Sequence, residues 1–208
     1  MTKLKIYGVP PTRVLRALWL LNELGLDHEL IPTAPFSEEA RSPAFLALNP
    51  TGKVPVLIDG DVVLTESSAI QLYLAEKFPE AGLIPQDIAE RAQMYRWIFF
   101  LVTEIEQPLW RIARNTVIYP EHKRMPADIQ VATEECKAML AVLEKHMQGR
   151  EYFVGDCLSV ADLNAAYTLD WAREAGMLED APALRAWVEK MYARPKAPTT
   201  IAAAFAAS

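Results

Sequence analysis

NPTGKVPVLIDGDVVLTESS, residues 49–68, decides how the rest of the chain reads. Asn49, Pro50 and Gly52 make a turn, Val54 to Ile58 a short apolar strand, and Asp59-Gly60-Asp61 a reversal. A second strand follows at Val62 to Leu64, and a helix starts at Thr65-Glu66-Ser67. A lysine, a Val-Pro bond and an acidic-hydroxyl pair thus fall within a run short enough to surround one pocket. Pro55 donates no backbone hydrogen bond at the start of its strand, which fits either an edge strand with a trans proline or a cis Val54-Pro55 bond. The residues alone leave both open.

Upstream of this stretch, strand and helix signals alternate. Leu4 to Tyr7 reads as a strand ended by Gly8 and the Pro10-Pro11 pair. Thr12 then caps a helix in which Val14, Leu18, Leu21 and Leu24 recur at three- and four-residue steps until Gly25. His28 to Ile31 is a second strand, and Ser37 to Leu48 a weaker helix with Glu38 and Glu39 in its first turn. Downstream, a helix runs from Glu66 to about Lys77, and Glu80 to Asp87, with Gly82 and Pro85, has a linker's composition. Everything beyond reads as helix: roughly Ile88 to Ile118, Ala127 to Met147, Val160 to Ala175, Ala183 to Tyr192 and Thr199 to Ala206. The expectation is a mixed α/β domain over 1–79, a linker at 80–87 and an all-α domain over 88–208.

Composition narrows the function. The 208 residues are 51% hydrophobic and 23% charged, an ordinary globular balance. A formal net charge of −6 provides no basic face for nucleic acid or an anionic membrane. No run approaches the ~18 apolar residues of a membrane span, and the chain opens directly into a strand rather than a signal peptide. A cytoplasmic protein without membrane or nucleic-acid partners is expected. Cys136 and Cys157 lack metal or disulfide spacing, and neither they nor His28, His122 and His146 suggest a metal site.

Glu66 and Ser67 stand at a helix start, where free N–H groups and the positive end of the dipole favour a carboxylate. Ser67 can offer an N–H and a hydroxyl, Glu66 can meet an ammonium, and Lys53 a second carboxylate. Together they suit a zwitterion. Capping by Thr65, with Glu66 as a partner of the dipole, is the competing structural explanation.

Residues 49–68, joined to KIYGVPPTRVLRALWLLNELGLDHE near the start, resemble the glutathione-binding half of the soluble glutathione transferases. Phe153-Val154-Gly155-Asp156 followed by Ser159-Val160-Ala161-Asp162-Leu163 resembles that family's capping box, so the similarity covers nearly the whole chain. It implies a thioredoxin-like domain binding glutathione, an all-α domain forming the second-substrate pocket, a cis Val54-Pro55 bond and a homodimer. The site is similar to that of bacterial-type members with a Ser/Thr active-site loop. The resemblance assigns glutathione contacts to Lys53, Val54, Pro55, Glu66 and Ser67. Ala40 stands where the family often has a polar or basic side chain for the glycyl end, and Arg41 beside it is the substitute.

The chemistry requires a thiolate from a thiol of pKa about 8.5. A hydroxyl at a helix N-terminus stabilises that anion, and Thr12 in PPTR matches the family's Ser/Thr/Cys position. Tyr7 is the alternative, at the place where other classes carry a catalytic tyrosine, though a tyrosine ending a strand also serves packing. Arg13 can add positive potential. For the electrophile, Tyr95, Phe99, Thr103, Trp110, Arg111 and Arg114 recur along the first helix of the all-α domain and suit a hydrophobic or anionic co-substrate. Ser159 and Asp162 are structural, as a capping box.

The expected reaction is conjugation of glutathione to a hydrophobic electrophile. Two other activities are compatible with such a fold: a glutathione-dependent disulfide reductase or peroxidase, and a non-catalytic interaction module.

Overall fold

The computed structural model describes residues 3–207, so residues 1, 2 and 208 of the expected domains lie outside it. Its contacts divide the chain into two units. One comprises the chain up to Ile84 together with the segment from Arg194 onward, the other Pro85–Ala193. The first boundary falls inside the expected linker. The second differs from the expected 88–208, because the tail is tied back to the first helix. Lys196 Nζ donates to the Glu23 carbonyl at 2.7 Å, Asn22 Nδ2 to the Lys196 carbonyl at 3.2 Å, and Arg194 Nε meets Glu23 Oε1 at 3.4 Å.

The first unit is built on β1 (Leu4–Tyr7), α1 (Val14–Leu24), β2 (His28–Ile31), α2 (Pro43–Leu48), β3 (Val56–Asp59), β4 (Val62–Thr65) and α3 (Ser67–Lys77). The strands form one sheet in the order β2-β1-β3-β4, with β1 and β2 parallel and the other pairs antiparallel. Ile6, Leu57, Val14, Leu20, Ile70 and Leu74 are fully buried. Those burials explain the pattern: alternate strand residues and one helical stripe turn toward a shared core. Gly25 ends α1 with φ 64, a left-handed value that a residue without Cβ adopts at no steric cost.

Three local expectations shift. Helix α1 begins at Val14, with Arg13 in the cap position and no side-chain cap bond. Thr12 stands one residue before the cap; its hydroxyl donates to the Val9 carbonyl and its oxygen accepts from Val14 N at a long 3.4 Å. The weak helix 37–48 divides into a single 3-10 turn, Glu39–Arg41, and α2. Ser42 caps α2 by accepting from Phe45 N at 3.2 Å, and Pro43 enters at its first turn. Strand β3 starts two residues late, at Val56, leaving Val54 and Pro55 outside the ladder.

The second unit contains α4 (Ile88–Phe100), α5 (Gln107–Ala113), α6 (Pro126–Met147), α7 (Val160–Glu174) and α8 (Pro182–Tyr192). The single helix expected over 88–118 is present but wound as α4, a π segment (Leu101–Glu106), α5 and a second π segment (Arg114–Ile118). Pro108 has no N–H to return to the Glu104 carbonyl, so the backbone widens just before it. Pro120 forces Tyr119 to extended angles and ends the run. In α7 twelve residues are buried, including Asp162, Asn164, Thr168 and Asp170, so this helix is enclosed on nearly all sides. Its capping box is in place: Asp162 accepts from Ser159 N and Oγ, each at 2.8 Å. The remaining helix, α9 (Ile201–Ala206), is capped by Thr200 and belongs to the first unit.

Among the described residues no helix is long and apolar enough to cross a membrane. Nor, among them, is there a group of three or more His, Cys, Asp or Glu residues placed to hold a metal.

Candidate glutathione site

Sheet register brings the predicted residues of the first unit together. Val56 pairs with Tyr7 on one side and Thr65 on the other. Both pairings are antiparallel, so the end of β1, the start of β3 and the end of β4 share one edge of the sheet. Three connections therefore open there: Gly8 to Arg13, Lys53 to Pro55, and Glu66 to Ser67. A site at this edge is a consequence of topology, not of sequence proximity.

The turn before β3 is held by Asn49, which is buried. Its Nδ2 donates to the Lys53 carbonyl at 2.8 Å, while its Oδ1 accepts from Thr51 N at 3.1 Å and Thr51 Oγ1 at 2.8 Å. Gly52 has φ +64, and a Cβ there would stand 3.1 Å from the Ala40 carbonyl. A side chain at that position would be strained by the positive φ and crowded against that carbonyl. Lys53 projects from it exposed, and the Val54-Pro55 bond that follows is cis, as is Pro10-Pro11. Val54 is half-buried against Ala40, Phe45 and Val56. An extended backbone lying beside it would meet a strand start without a ladder partner.

Glu66 occupies the cap position of α3 with φ 66 and ψ 111, a strained combination for a residue with a Cβ. No side chain caps this helix, so Thr65 does not fill the role that competed with ligand binding. Its first amides and the positive dipole end thus point toward the sheet edge. Ser67 is buried and Glu66 exposed.

Behind Ser67 stands a residue that sequence reading missed. Arg16, 1% exposed, donates from Nη1 to Ser67 Oγ at 3.2 Å, and Gln71 Nε2 donates to the Arg16 carbonyl at 3.0 Å. A guanidinium thus sits under the α3 N-terminus and adds positive potential where a carboxylate would bind. The signal was available. Arg16 interrupts VL-ALWLL on the face that Leu20, four residues on, turns inward.

Thr12 lies in the connection after β1. Its Oγ1 donates to the Val9 carbonyl at 2.6 Å and accepts weakly from Val14 N at 3.4 Å. Tyr7 is packed instead: its ring centroid is 5.8 Å from that of Phe45, in the cluster of Ala40 and Val56. Arg13 is half-buried at the head of α1. Ala40 is fully buried, and Arg41 next to it is exposed. Glu39 is held below the usual carboxylate range by the Ser37 hydroxyl and by its own backbone N–H.

The six residues predicted for the electrophile all lie in the second unit. Phe99 is 65% exposed. Thr103 Oγ1 bonds the Phe99 carbonyl and Glu104 Oε1, each at 3.0 Å. Trp110 meets Trp171 edge to face at 6.5 Å. Arg111 is engaged by Asp128 and Glu135. Its hydrogen bonds hold the Asp128 carboxyl below its ordinary value. Arg114 sits over the Tyr119 ring, 5.5 Å from its centroid.

A four-stranded thioredoxin-like sheet with an uncapped helix N-terminus at its open edge, followed by an all-α unit, defines a class of glutathione-binding folds. The chain matches the family described as "Glutathione S-transferase, N-terminal domain" over residues 2–76 and "Glutathione S-transferase, C-terminal domain" over 107–195. It belongs to the glutathione S-transferase family. It is 34% identical over 212 residues to glutathione S-transferase 3 of Zea mays, covering 98% of this chain and 95% of the relative. Among solved structures, glutathione transferase F7 of Populus trichocarpa superposes with a TM-score of 0.82 at 29% identity, over 98% of each chain. A theta-class enzyme from Xanthomonas axonopodis pv. citri, solved with glutathione bound, gives 0.81 at 29% identity, over 97% of this chain and 100% of that one.

Proposed function

We propose that the protein conjugates glutathione to an electrophilic carbon. The observation that carries this reading is the convergence of Val54, Glu66 and Ser67 at one sheet edge, with α3 uncapped and Arg16 beneath it. The γ-glutamyl carboxylate takes the Ser67 N–H and hydroxyl, Glu66 meets the ammonium, and the cysteinyl backbone pairs with Val54. Lys53 meets the glycyl carboxylate, with Arg41 as a weaker contributor.

The loop is of the Ser/Thr type, and Thr12 holds the sulfur. Its hydroxyl has one proton, directed at Val9 without ligand, and rotation about Cβ–Oγ1 redirects it to the thiolate. Arg13 supports the anion electrostatically, and Tyr7 is left to packing. As the C–S bond forms, the leaving group departs with the electron pair and the thiol proton passes to solvent.

Neither cysteine lies in the glutathione-binding unit, since Cys136 and Cys157 are both in the other. A mixed disulfide on this protein's own sulfur at the sheet edge therefore has no donor, which favours conjugation over disulfide reduction. The electrophile is held by residues of the second unit. A reducing, cytoplasmic setting keeps both glutathione and these cysteines as thiols. The protein acts as a homodimer, to be read from its mass in solution.

The deciding experiment compares turnover of an aryl halide with that of a small disulfide. Conjugation of the halide with at most trace reduction of the disulfide upholds the reading. The reverse preference overturns it.

A further inference from the structure

At the start of α3 two neighbouring residues have opposite hydrogen-bonding character. Glu66 is exposed and, once ionised, offers only acceptors. Ser67 is 4% exposed and sits against a guanidinium. Arginine carries donors and no acceptor, so the 3.2 Å contact between Arg16 Nη1 and Ser67 Oγ runs in one sense: the guanidinium donates and the hydroxyl oxygen accepts. The hydroxyl's own proton finds no acceptor among the described residues. A buried donor so left is costly, and such groups persist where a ligand completes them. The Ser67 N–H stands beside it at a helix start that no side chain caps. A second tie between the helices, Gln71 Nε2 to the Arg16 carbonyl at 3.0 Å, holds the guanidinium in place.

We propose that Arg16 is a specificity-determining residue that acts through Ser67: it turns the hydroxyl into a donor and so fixes which way round the γ-glutamyl end of glutathione binds. The inference rests on the glutathione reading of this sheet edge. Ser67 then presents two donors, its N–H and its O–H, with a positive charge behind them, and an anionic acceptor fits there. An ammonium at the same oxygen would share it with a guanidinium, a like-charge contact. Glu66 next to it has the reverse preference. The α-carbon of the γ-glutamyl residue carries one carboxylate and one ammonium, and the pair of protein residues accepts them in one order only. The L-configuration is admitted and the D-configuration, in which the two groups exchange places, is rejected.

The test is calorimetry of two tripeptides, glutathione and its epimer with a D-γ-glutamyl residue, into the wild type, Arg16→Met and Arg16→Lys. The wild type prefers glutathione. Arg16→Met narrows the ratio of the two affinities by roughly tenfold, the scale of one charge-assisted hydrogen bond, and Arg16→Lys, which keeps the charge, retains most of it. A residue that merely joins α1 to α3 would weaken both tripeptides alike, so an unchanged ratio in Arg16→Met overturns the proposal. So does a wild type that binds the two equally or binds neither. Where Arg16→Met does not melt cooperatively, Ser67→Ala decides, because it removes only the oxygen through which Arg16 acts: a narrowed ratio upholds the proposal and an unchanged one ends it. Turnover of an aryl halide by the wild type is followed separately. If the ratio behaves as expected and no halide is conjugated, the transferase reading fails while the role of Arg16 stands.

Discussion

Arg16 Nη1 reaches Ser67 Oγ at 3.2 Å, tying α1 to the first residue of α3 across fifty-one positions of sequence. The bond fixes the hydroxyl at the place where the ligand's carboxylate is expected. Arg16→Met removes the buried charge while keeping most of the volume. A charge-assisted bond is worth about 1.5–3 kcal/mol, so glutathione affinity should fall by roughly 10- to 100-fold. Calorimetry checks this, with a thermal melt to confirm folding.

Thr12→Ala should leave glutathione binding largely intact while raising the pKa of the bound thiol. Loss of one donor to a charged acceptor corresponds to roughly one to two pKa units. Ultraviolet thiolate absorbance against pH, in the glutathione complex, measures it. A shift on Tyr7→Phe, with none on Thr12→Ala, would transfer the role to Tyr7.

Asn49 supports the site from behind. Asn49→Ala leaves the Lys53 carbonyl and Thr51 without their partner, and a buried polar group so stranded costs about 1–3 kcal/mol. Both the unfolding midpoint and glutathione affinity should drop. Gly52→Ala should act alike, since it combines positive φ with a tight approach, 3.1 Å, to the Ala40 carbonyl.

Phe153 joins two titrating groups in the helical unit. Its N–H donates to Asp162 Oδ1 at 2.8 Å, and its carbonyl accepts from His146 Nε2 at 3.0 Å. Burial pushes the Asp162 carboxyl up to about 6 from 3.8. Its contribution to stability is therefore complete below about pH 4 and is lost as pH rises through 6. Burial lowers His146 from 6.5, so its contribution is present above that value and is lost as pH falls below it. The two signs oppose. His146→Gln should make stability less sensitive to acid below pH 6.5, and Asp162→Asn more so. Denaturant midpoints across this range provide the comparison.

The two thiols should separate cleanly. Cys136 is fully buried, and burial pushes it up to about 12, whereas Cys157 is exposed. A chromogenic disulfide should titrate one thiol in the native protein and a second only after denaturant is added.

Much of this was readable in the chain because local chemistry and fold agree. Gly25 stops α1, Ser159 and Asp162 form their box, and the two short strands flanking Gly60 pair as a hairpin. What escaped was non-local. The spacing of α1 can place Arg16 on the inward face, but nothing within its own turn names Ser67 as its partner. The Thr12 hydroxyl went to Val9 because the Pro10-Pro11 turn folds back on itself, which helix-capping preferences do not anticipate. The π segments before Pro108 and Pro120 change which residues of 88–118 share a face, which regular helical spacing does not anticipate.

The most direct measurement is titration calorimetry of reduced glutathione into the wild type and Glu66→Gln, which keeps the side-chain shape and removes only the charge offered to the ammonium. The sheet-edge cradle predicts at least a tenfold loss of affinity, about 1.4 kcal/mol, with an unchanged thermal midpoint. Equal affinity in the two proteins would contradict it.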